Sequence, residues 1–303
     1  MVAPSAFLSL LIASKTSLAL AQKTWPSSLE FLAKGSDEEY KDFVTPLAQM
    51  TKLTYTATWG SYYREKDENE TIAGWLRGKL QSNPLVGMRA LTFFEWNTNR
   101  GVMAFRGTDL NSSNPSGQVD ACANAFLSLC ESHSGQLPAE CQNFTVHQLD
   151  YLSRALEFAQ TAAEAHPNTQ WLYTGHSLGA LLAELVAAQR SGAPALTFSA
   201  PPLTPLLKRL KQPELRHWGT VTLYDQYDPL RFQAVGQLWS ANCTWARAEA
   251  PEGCKACEAA PIDMHSEACQ KCFFAAHTFK TYLKNVYSQR RPDCPDSTNT
   301  VIV

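Results

Sequence analysis

The segment Tyr173–Gly179 (YTGHSLG) spans the junction between a short β-rich run, Gln170–Thr174, and an Ala/Leu-rich run, Leu178–Gln189. The pattern Gly-x-Ser-x-Gly at such a junction is typical of a sharp turn from a strand into a helix. The two glycines let strand and helix approach without a clash at a β-carbon, and the serine between them is held in a strained backbone conformation. We therefore predict that Ser177 projects from the carboxyl edge of a sheet as a nucleophile, with the positive end of a helix dipole behind it.

Short β-rich and helical runs alternate around this turn, which is the order expected of a parallel sheet covered by helices. The predicted strands are Gln170–Thr174, Ala195–Ser199 and Thr220–Tyr224, with a hairpin of Leu91–Trp96 and Gly101–Arg106; the predicted helices are Glu38–Thr58, Val146–Ala165, Leu178–Gln189 and Phe273–Tyr287. The sequence contains no evident interdomain linker or internal repeat. We predict one α/β domain over residues 22–303, with a mostly parallel central sheet flanked by helices.

The composition excludes several classes of protein. Hydrophobic residues make up 45% of the 303 residues and charged residues 18%, which argues against a disordered or fibrous chain. The formal net charge is −2 and there is no Lys/Arg-rich run, so the clustered positive charge of a nucleic-acid-binding surface is missing. No apolar run of about 18 residues follows the N-terminal segment, so no transmembrane segment is predicted. The sequence does not indicate an oligomeric state.

The N-terminal segment resembles a secretory signal. Ala6–Leu20 is short and apolar, and the small residues Ala19 and Ala21 suit cleavage before Gln22. We predict a signal peptide over residues 1–21, and hence a protein that is secreted or lies in the lumen of the secretory pathway. The alternative is a buried N-terminal helix, because the segment begins without a basic residue.

Nine cysteines allow two kinds of structure. The pairs Cys254-x-x-Cys257 and Cys269-x-x-Cys272 have the spacing of a four-thiolate zinc site. In an oxidising compartment the same cysteines form disulfides, which is the interpretation we favour. Sequons for N-glycosylation, which suit a secreted glycoprotein, occur at Asn69, Asn111, Asn143 and Asn242. We predict a disulfide-pinned, cysteine-rich insertion over residues 243–272, no metal site, and at least one cysteine without an intrachain partner, because nine is odd.

The segment Thr108–Thr145 is rich in Ser, Asn, Gly and Pro and is too long for an ordinary connection. Loops of this length tend to cover functional sites, so we predict a lid-like loop. Its apolar residues include Ala121, Ala125, Phe126, Leu127 and Leu129. A lid exposes such side chains when it opens against an apolar surface, whereas the alternative is that they belong to the ordinary core.

A serine hydroxyl needs a base to remove its proton, and the base needs an acid to orient it. On a strand–turn–helix of this kind the expected chain order is Ser, then Asp or Glu, then His. The histidines downstream of Ser177 are His217, His265 and His277. Because His217 precedes the strand whose end should carry the acid, it would reverse the order. We predict His277 as the base, with His265, inside the cysteine-rich insertion, as the alternative.

Two carboxylates follow the predicted strand Thr220–Tyr224, namely Asp225 and Asp228. The proline after Asp228 fixes the exit of a turn and favours an extended residue before it. We predict Asp228 as the acid, with Asp225 as a turn-forming residue that could take its place.

An oxyanion hole needs the amide of the residue after the nucleophile and a second donor from an earlier loop. The first is the amide of Leu178. The second is assigned to Thr108, which follows a predicted strand and offers both an amide and a hydroxyl. Arg106 nearby has an alternative role in a structural salt bridge under the loop.

Several strings of residues occur together in the order and rough spacing of one enzyme family. They are Ala104–Asp109 (AFRGTD), Val146-His147, Tyr173–Gly179 (YTGHSLG), Phe198–Pro201 (FSAP) and Tyr227–Pro229 (YDP). Through these motifs the chain resembles the fungal-type lipases, often called class three lipases, from Phe43 to Tyr287. The family's Phe-Gly-x-Pro-Arg stretch appears here as Phe198–Pro202 (FSAPP), which lacks both the Gly and the Arg.

The resemblance implies an α/β-hydrolase fold that acts without a cofactor. Carried over to this chain, it makes Ser177 the nucleophile, Asp228 the acid and His277 the base, with Thr108 and Leu178 as oxyanion donors. It also implies that the segment after Thr108 is a lid. We therefore expect a secreted serine ester hydrolase that cleaves acyl esters of lipids at a lipid–water interface through an acyl-enzyme. The alternatives are a phospholipase or feruloyl-type esterase on the same fold, a non-catalytic binding protein, or a zinc-bound docking module.

Overall fold

A seven-stranded sheet in the order β1 to β7 forms the centre of the part of the protein that the computed structural model describes. The described residues are 25, 29, 32, 35–56, 72–81, 87–111, 113, 115–128, 137–190, 193–202, 219–233, 240–258, 266–288 and 291–294. The strands are β1 (Trp75–Gln81), β2 (Ala90–Glu95), β3 (Arg100–Phe105), β4 (Gln170–His176), β5 (Ala195–Phe198), β6 (Thr220–Asp225) and β7 (Ala241–Trp245). Strands β1 to β3 pair antiparallel, and β3 to β7 pair parallel. The sheet is therefore mostly parallel, as the sequence predicts.

Helices cover both faces of this sheet. They are α1 (Asp37–Thr56), α2 (Pro115–Ser128), α3 (Val146–Leu149), α4 (Tyr151–Ala165), α5 (Leu178–Gln189), α6 (Pro229–Gln233), α7 (Cys254–Glu258), α8 (Glu267–Ala276) and α9 (Phe279–Tyr287), with a short 3₁₀ turn at Ala139–Cys141. Alternation along the strands divides the core: Val102 of β3 and Leu172 of β4 pack with α1 and α9, whereas Met103 and Tyr173 pack with α2, α4 and α5. Helices on both faces of a mostly parallel sheet, with a sharp turn from β4 into α5, form an α/β-hydrolase fold.

Two predicted helices are each divided in two. Val146–Ala165 breaks at Asp150, whose carboxylate accepts a hydrogen bond from the Ser153 amide and so caps the start of α4. Phe273–Tyr287 breaks at His277, which ends α8, and at Thr278, which precedes the first residue of α9. His277 therefore lies at a junction between two helices and not within one continuous helix.

The segment predicted as a lid-like loop contains helix α2. The spacing of Val119, Ala123 and Leu127 places these side chains on one face of α2, where all three are buried in the core. Phe126 packs against the same core, while Ala121 is exposed; Leu129 lies outside the described residues. Leu127 and Phe126 thus belong to the core packing, which is the alternative stated for these apolar residues.

Eight cysteines form disulfides: Cys122–Cys141, Cys243–Cys294, Cys254–Cys272 and Cys257–Cys269. The four-cysteine cluster is therefore disulfide-bonded and does not form a four-thiolate zinc site. Within the described part of the chain, no group of three or more His, Cys, Asp or Glu residues is placed to hold a metal ion. Cys130, the remaining cysteine, lies outside the described residues.

The predicted start of the cysteine-rich insertion at residue 243 is wrong. Cys243 is a buried residue of β7, hydrogen-bonded into the sheet beside β6 and linked to Cys294 near the C-terminus. The insertion follows β7, because the sheet pairing continues to Trp245. The sequence analysis predicts neither β7 nor β1.

No described helix combines the length and the apolar character needed to span a membrane. The predicted signal peptide over residues 1–21 lies outside the described residues.

A buried carboxylate lies between α5 and the sheet. Glu184 of α5 is 3% exposed, and its Oε1 accepts hydrogen bonds of 2.6 Å from the hydroxyls of Thr197 in β5 and Thr222 in β6. Burial penalises the charged form and raises the pKa of Glu184 from 4.5 to about 7, although the two hydroxyls oppose the shift. Near neutral pH the buried carboxyl group of Glu184 is therefore partly protonated and partly ionised.

We expect the stability of the fold to depend on this group. Because the pKa is raised in the folded state, the contribution of protonated Glu184 is complete below about pH 4.5 and is lost as the pH rises through about 7. Glu184→Gln keeps the shape without the charge, so its stability relative to the wild type should rise by roughly 3 kcal/mol from about pH 4 to about pH 8, at about 1.4 kcal/mol per pKa unit. Urea unfolding at several pH values measures the difference. Glu157→Gln, on an exposed position of α4, is the control, and an equal pH response in both variants would contradict the assignment.

Candidate active site

The turn from β4 into α5 presents Ser177. This residue has φ 55° and ψ −127°, a conformation that L-residues adopt only under strain, and its amide donates a 3.0 Å hydrogen bond to the Phe198 carbonyl of β5. A β-carbon on Gly179 would overlap the Phe105 carbonyl, and one on Gly175 would overlap the Gly179 carbonyl. Glycine at both positions therefore lets α5 start directly against the ends of β3 and β4, which leaves Ser177 at the carboxyl edge of the sheet.

His277 reaches Ser177 from the junction of α8 and α9. Its Nε2 lies 2.8 Å from Ser177 Oγ, and its backbone amide ends α8 by donating to the Phe273 carbonyl at 2.8 Å. The Phe273 ring stacks on the imidazole with 4.1 Å between the ring centroids. The imidazole is nearly fully buried, so it is held in one position beside the serine hydroxyl.

Asp228 lies on the other side of the His277 ring. Its Oδ2 is 3.0 Å from His277 Nδ1, and its Oδ1 accepts a 2.9 Å hydrogen bond from the Leu230 amide at the start of α6. Burial alone would raise the pKa of Asp228, but the charge and hydrogen bond of His277 and the hydroxyls of Ser199 and Tyr282 outweigh it and lower the pKa to about 2. Asp228 is therefore an ionised, buried carboxylate that faces the imidazole.

Asp225, the other candidate acid, has different neighbours. Its Oδ2 accepts a 3.0 Å hydrogen bond from Asn285 Nδ2 and lies 3.4 Å from Arg247 Nη1, while its Oδ1 accepts one from the Tyr227 amide. Burial raises the pKa of Asp225, opposed by these contacts. Asp225 thus shapes the turn before Asp228. His217 and His265 lie outside the described residues.

The two predicted oxyanion donors lie at the ends of adjacent elements. Leu178 is the first residue of α5, where backbone amides have no acceptor within the helix. Thr108 follows β3, and its Oγ1 accepts a 2.7 Å hydrogen bond from Asn124 Nδ2 of α2. Because Asn124 occupies an acceptor position of this oxygen, the hydroxyl proton of Thr108 is left to donate to another group.

Arg106 has the structural role stated as its alternative. Its Nη2 pairs with Asp120 of α2 at 2.7 Å, and the same carboxylate accepts a 2.7 Å hydrogen bond from the Asp109 amide and a 2.6 Å one from the Tyr151 hydroxyl. This ion pair connects the end of β3 to α2 and α4. It therefore holds the backbone on which Thr108 lies.

His176 and Tyr55 are site residues that the sequence analysis did not predict. His176 Nε2 lies 2.8 Å from the His277 carbonyl, so this nitrogen donates, and Nδ1 accepts from the Tyr55 hydroxyl at 2.8 Å. Burial, assisted by the neighbouring His277, lowers the pKa of His176 to about 3, so the ring is neutral at physiological pH. The histidine of the Gly-His-Ser-Leu-Gly string was visible in the sequence, but its partners on α1 and at the α8–α9 junction were not.

Tyr282 and Ser199 were also missed. The Tyr282 hydroxyl, on α9, donates to Asp228 Oδ2 at 2.6 Å and accepts from the Asp225 amide at 3.0 Å. The Ser199 hydroxyl, just after β5, lies 2.5 Å from the same Oδ2. The departure from Phe-Gly-x-Pro-Arg marked Ser199 in the sequence, but only the fold brings it to the carboxylate.

The cysteine-rich insertion supports this site mechanically. Two disulfides, Cys254–Cys272 and Cys257–Cys269, tie α7 to α8, and the buried cluster that they form packs against Tyr227, the neighbour of Asp228. Since His277 ends α8, the cross-links fix the helix that carries the imidazole.

Comparison with known proteins gives matches among solved structures. No family model and no curated protein sequence matches the chain. The Lip2 lipase from Yarrowia lipolytica has 11% sequence identity and a TM-score of 0.43, over 76% of this chain and 84% of that one. A lipase from Rhizopus microsporus var. chinensis has 14% identity and a TM-score of 0.42, over 70% and 76% of the two chains.

A triacylglycerol lipase from Penicillium expansum has 10% identity and a TM-score of 0.38, over 70% of this chain and 80% of that one. The similar structures are thus fungal lipases, the proteins whose motifs the sequence resembles. Because the identities and TM-scores are this low, the fold assignment rests on the strand order and the β4–α5 turn of this chain itself.

Proposed function

We propose that the protein is a serine hydrolase that cleaves carboxylic esters, with Ser177 as nucleophile, His277 as general base and Asp228 as the orienting acid. The observation that carries this proposal is the continuous line from Ser177 Oγ through His277 Nε2 and Nδ1 to Asp228 Oδ2, with separations of 2.8 Å and 3.0 Å. A nucleophile and a base within hydrogen-bond reach, with the base oriented by a third group, is the arrangement that nucleophilic catalysis requires.

In this mechanism His277 Nε2 takes the proton of Ser177 as Oγ attacks the ester carbonyl carbon. The electrons of the carbonyl bond move to its oxygen, and the amide of Leu178 with the hydroxyl or amide of Thr108 donate to that oxyanion. Asp228 accepts from Nδ1–H and stabilises the imidazolium. The oxyanion then re-forms the carbonyl bond as the bond to the leaving alcohol breaks; the alcohol takes the proton from His277, and an acyl-enzyme remains on Ser177. Water, deprotonated by His277, attacks this acyl-enzyme, and the carboxylic acid is released as Ser177 regains its proton from His277.

We assign lipid acyl esters as the substrate class. Two apolar side chains are exposed on the segments that carry site residues: Leu110, two residues after Thr108, is 50% exposed, and Phe274, three residues before His277, is 58% exposed. We take these exposed apolar side chains as support for a substrate with an apolar chain, presented at a lipid–water interface.

We assign the protein to the secretory route. Four disulfides among the described residues favour an oxidising compartment, and the sequon residues Asn111 and Asn143 are exposed. Asn242, by contrast, is half-buried in β7 and accepts a hydrogen bond from Ser240, so glycosylation there would disturb the sheet. The signal peptide proposed over residues 1–21 is consistent with this route.

The nucleophile assignment is tested with Ser177→Ala. We expect the variant to fold like the wild type and to lose ester hydrolysis by several orders of magnitude, because the three residues act as a unit. The measurement is turnover of a series of fatty-acid esters of short to long chain, which also ranks the acyl chains. Wild-type turnover in a folded variant would remove Ser177 from the mechanism, and a wild-type protein that hydrolyses no ester of the series would remove the lipid assignment.

The acid is tested with two matched variants. Asp228→Asn keeps the shape but allows the wrong imidazole tautomer, and we expect kcat to fall by about 10³- to 10⁴-fold. Asp225→Asn, which changes a carboxylate three positions away that faces Arg247 and Asn285, should keep kcat within about tenfold of the wild type. Initial-rate kinetics on one ester distinguish the two, and a reversed order of losses would transfer the acid role to Asp225.

The assignment to the secretory route is tested by expressing the protein in eukaryotic cells and analysing the culture medium by mass spectrometry. We expect a chain that begins at Gln22 and retains four disulfides, seen as the mass gained on reduction. A chain that begins at Met1, or one retained in the cytosol with free thiols, would contradict this assignment.

A further inference from the structure

Ser199 occupies a backbone conformation that favours glycine. It follows the last residue of β5 and has φ 53°, in the left-handed region where a β-carbon is unfavourable. Its amide donates a 2.9 Å hydrogen bond to the Leu223 carbonyl of β6, so the sheet fixes this conformation. A serine that contributed nothing with its side chain would make this position less stable than glycine does.

The Ser199 hydroxyl instead contacts two residues of the proposed triad. Oγ lies 2.5 Å from Asp228 Oδ2 and 2.8 Å from His277 Nδ1. All three atoms lie on fully buried side chains, so water does not compete with these contacts. The hydroxyl therefore lies between the acid and the base.

The direction of these hydrogen bonds follows from the number of protons. Ionised Asp228 has acceptors only, so the single proton of the Ser199 hydroxyl is donated to Oδ2. The lone pairs of Ser199 Oγ then face His277 Nδ1. With a carboxylate and a hydroxyl oxygen both offering lone pairs, Nδ1 must carry the hydrogen, which leaves the lone pair of Nε2 to accept the Ser177 proton.

We propose that Ser199 is a positioning residue that fixes the tautomer and orientation of His277 by bridging its Nδ1 and the Asp228 carboxylate. This inference rests on the proposed function, because it assigns Ser199 to the same reaction. It adds to the proposed triad a further polar group, which the residue after β5 supplies and which is absent from the motif-based assignment.

The test compares Ser199→Ala with Ser199→Gly. Both remove the hydroxyl, but Ala retains the β-carbon in the left-handed conformation, whereas Gly adopts that conformation without strain. If the hydroxyl positions His277, both variants should lose kcat by about ten- to a hundredfold, which is typical of a lost hydrogen bond to a charged group, with KM changed by less than about twofold. Thermal unfolding of each variant is measured alongside, and the Gly variant keeps the test valid if the Ala variant does not fold.

A second measurement is independent of turnover. In a proton NMR spectrum, the hydrogen on His277 Nδ1 gives a resonance in the far downfield region when it is held in a strong hydrogen bond. This resonance is assigned by its absence from the His277→Ala variant. In both Ser199 variants this resonance should move upfield and exchange faster with solvent, because one of its two acceptors is gone.

The outcomes are separable. Loss of kcat in both variants together with a changed Nδ1–H resonance supports the role of Ser199. Wild-type kcat in both variants, or loss in only one of them, would overturn it, because strain and backbone freedom affect Ala and Gly in opposite ways. If the wild-type protein hydrolyses no ester, the proposed function fails, but an altered resonance in both variants still supports Ser199 as the group that orients His277.

Discussion

A buried negative charge on Asp228 is the constraint that organises this part of the molecule. A carboxylate without access to water is stable only when protein groups replace its hydration, and here the donors come from four different elements. Ser199 follows β5, Leu230 lies in α6, His277 joins α8 to α9, and Tyr282 lies in α9. Satisfying one charge therefore fixes the relative positions of these four elements, so the site and the packing around it form together.

The groups beside His277 extend this constraint to helix α1, which packs on the same face of the sheet as α9. Neutral His176 donates to the His277 carbonyl and accepts from Tyr55 of α1, so the residue that precedes the proposed nucleophile also holds the backbone of the proposed base. The disulfides between α7 and α8 add a covalent restraint on the same backbone. The hydrogen bond from His176 and the two disulfides thus restrain the junction between α8 and α9.

The local part of this design could be predicted from the sequence. The helix Leu178–Gln189 was predicted with the bounds that the structure has, because the Gly-x-Ser-x-Gly turn and the Ala/Leu pattern are local signals. The hairpin of β2 and β3 and the parallel strands β4 to β6 were likewise within one or two residues of their predicted positions. The β7 strand was missed, because its short run contains Asn, Cys and Thr and its pairing with β6 is a long-range property.

The rest of the site depends on distant partners. The helical pattern across Phe273–Tyr287 does not indicate the break at which His277 lies, because apolar spacing continues on both sides of it. The preference for Asp228 over Asp225 rested on a proline, while the structure separates the two by partners on β5, α9 and the segment after β7. Ser199 could not be assigned a role from the sequence, because that role depends on its backbone conformation, with φ 53°, and on two residues that are far away in the chain.

The stacked rings around His277 have a consequence for the path of the transferred proton. Phe273 lies on one face of the imidazole with centroids 4.1 Å apart, and His176 lies against it at 4.9 Å. A half-turn of the imidazole about its Cβ–Cγ bond, which would exchange the two nitrogens, must sweep the ring edge through the space that these rings fill. The imidazole is thus confined to one orientation, and in the proposed mechanism the nitrogen that receives the serine proton is also the one that delivers it to the leaving alcohol.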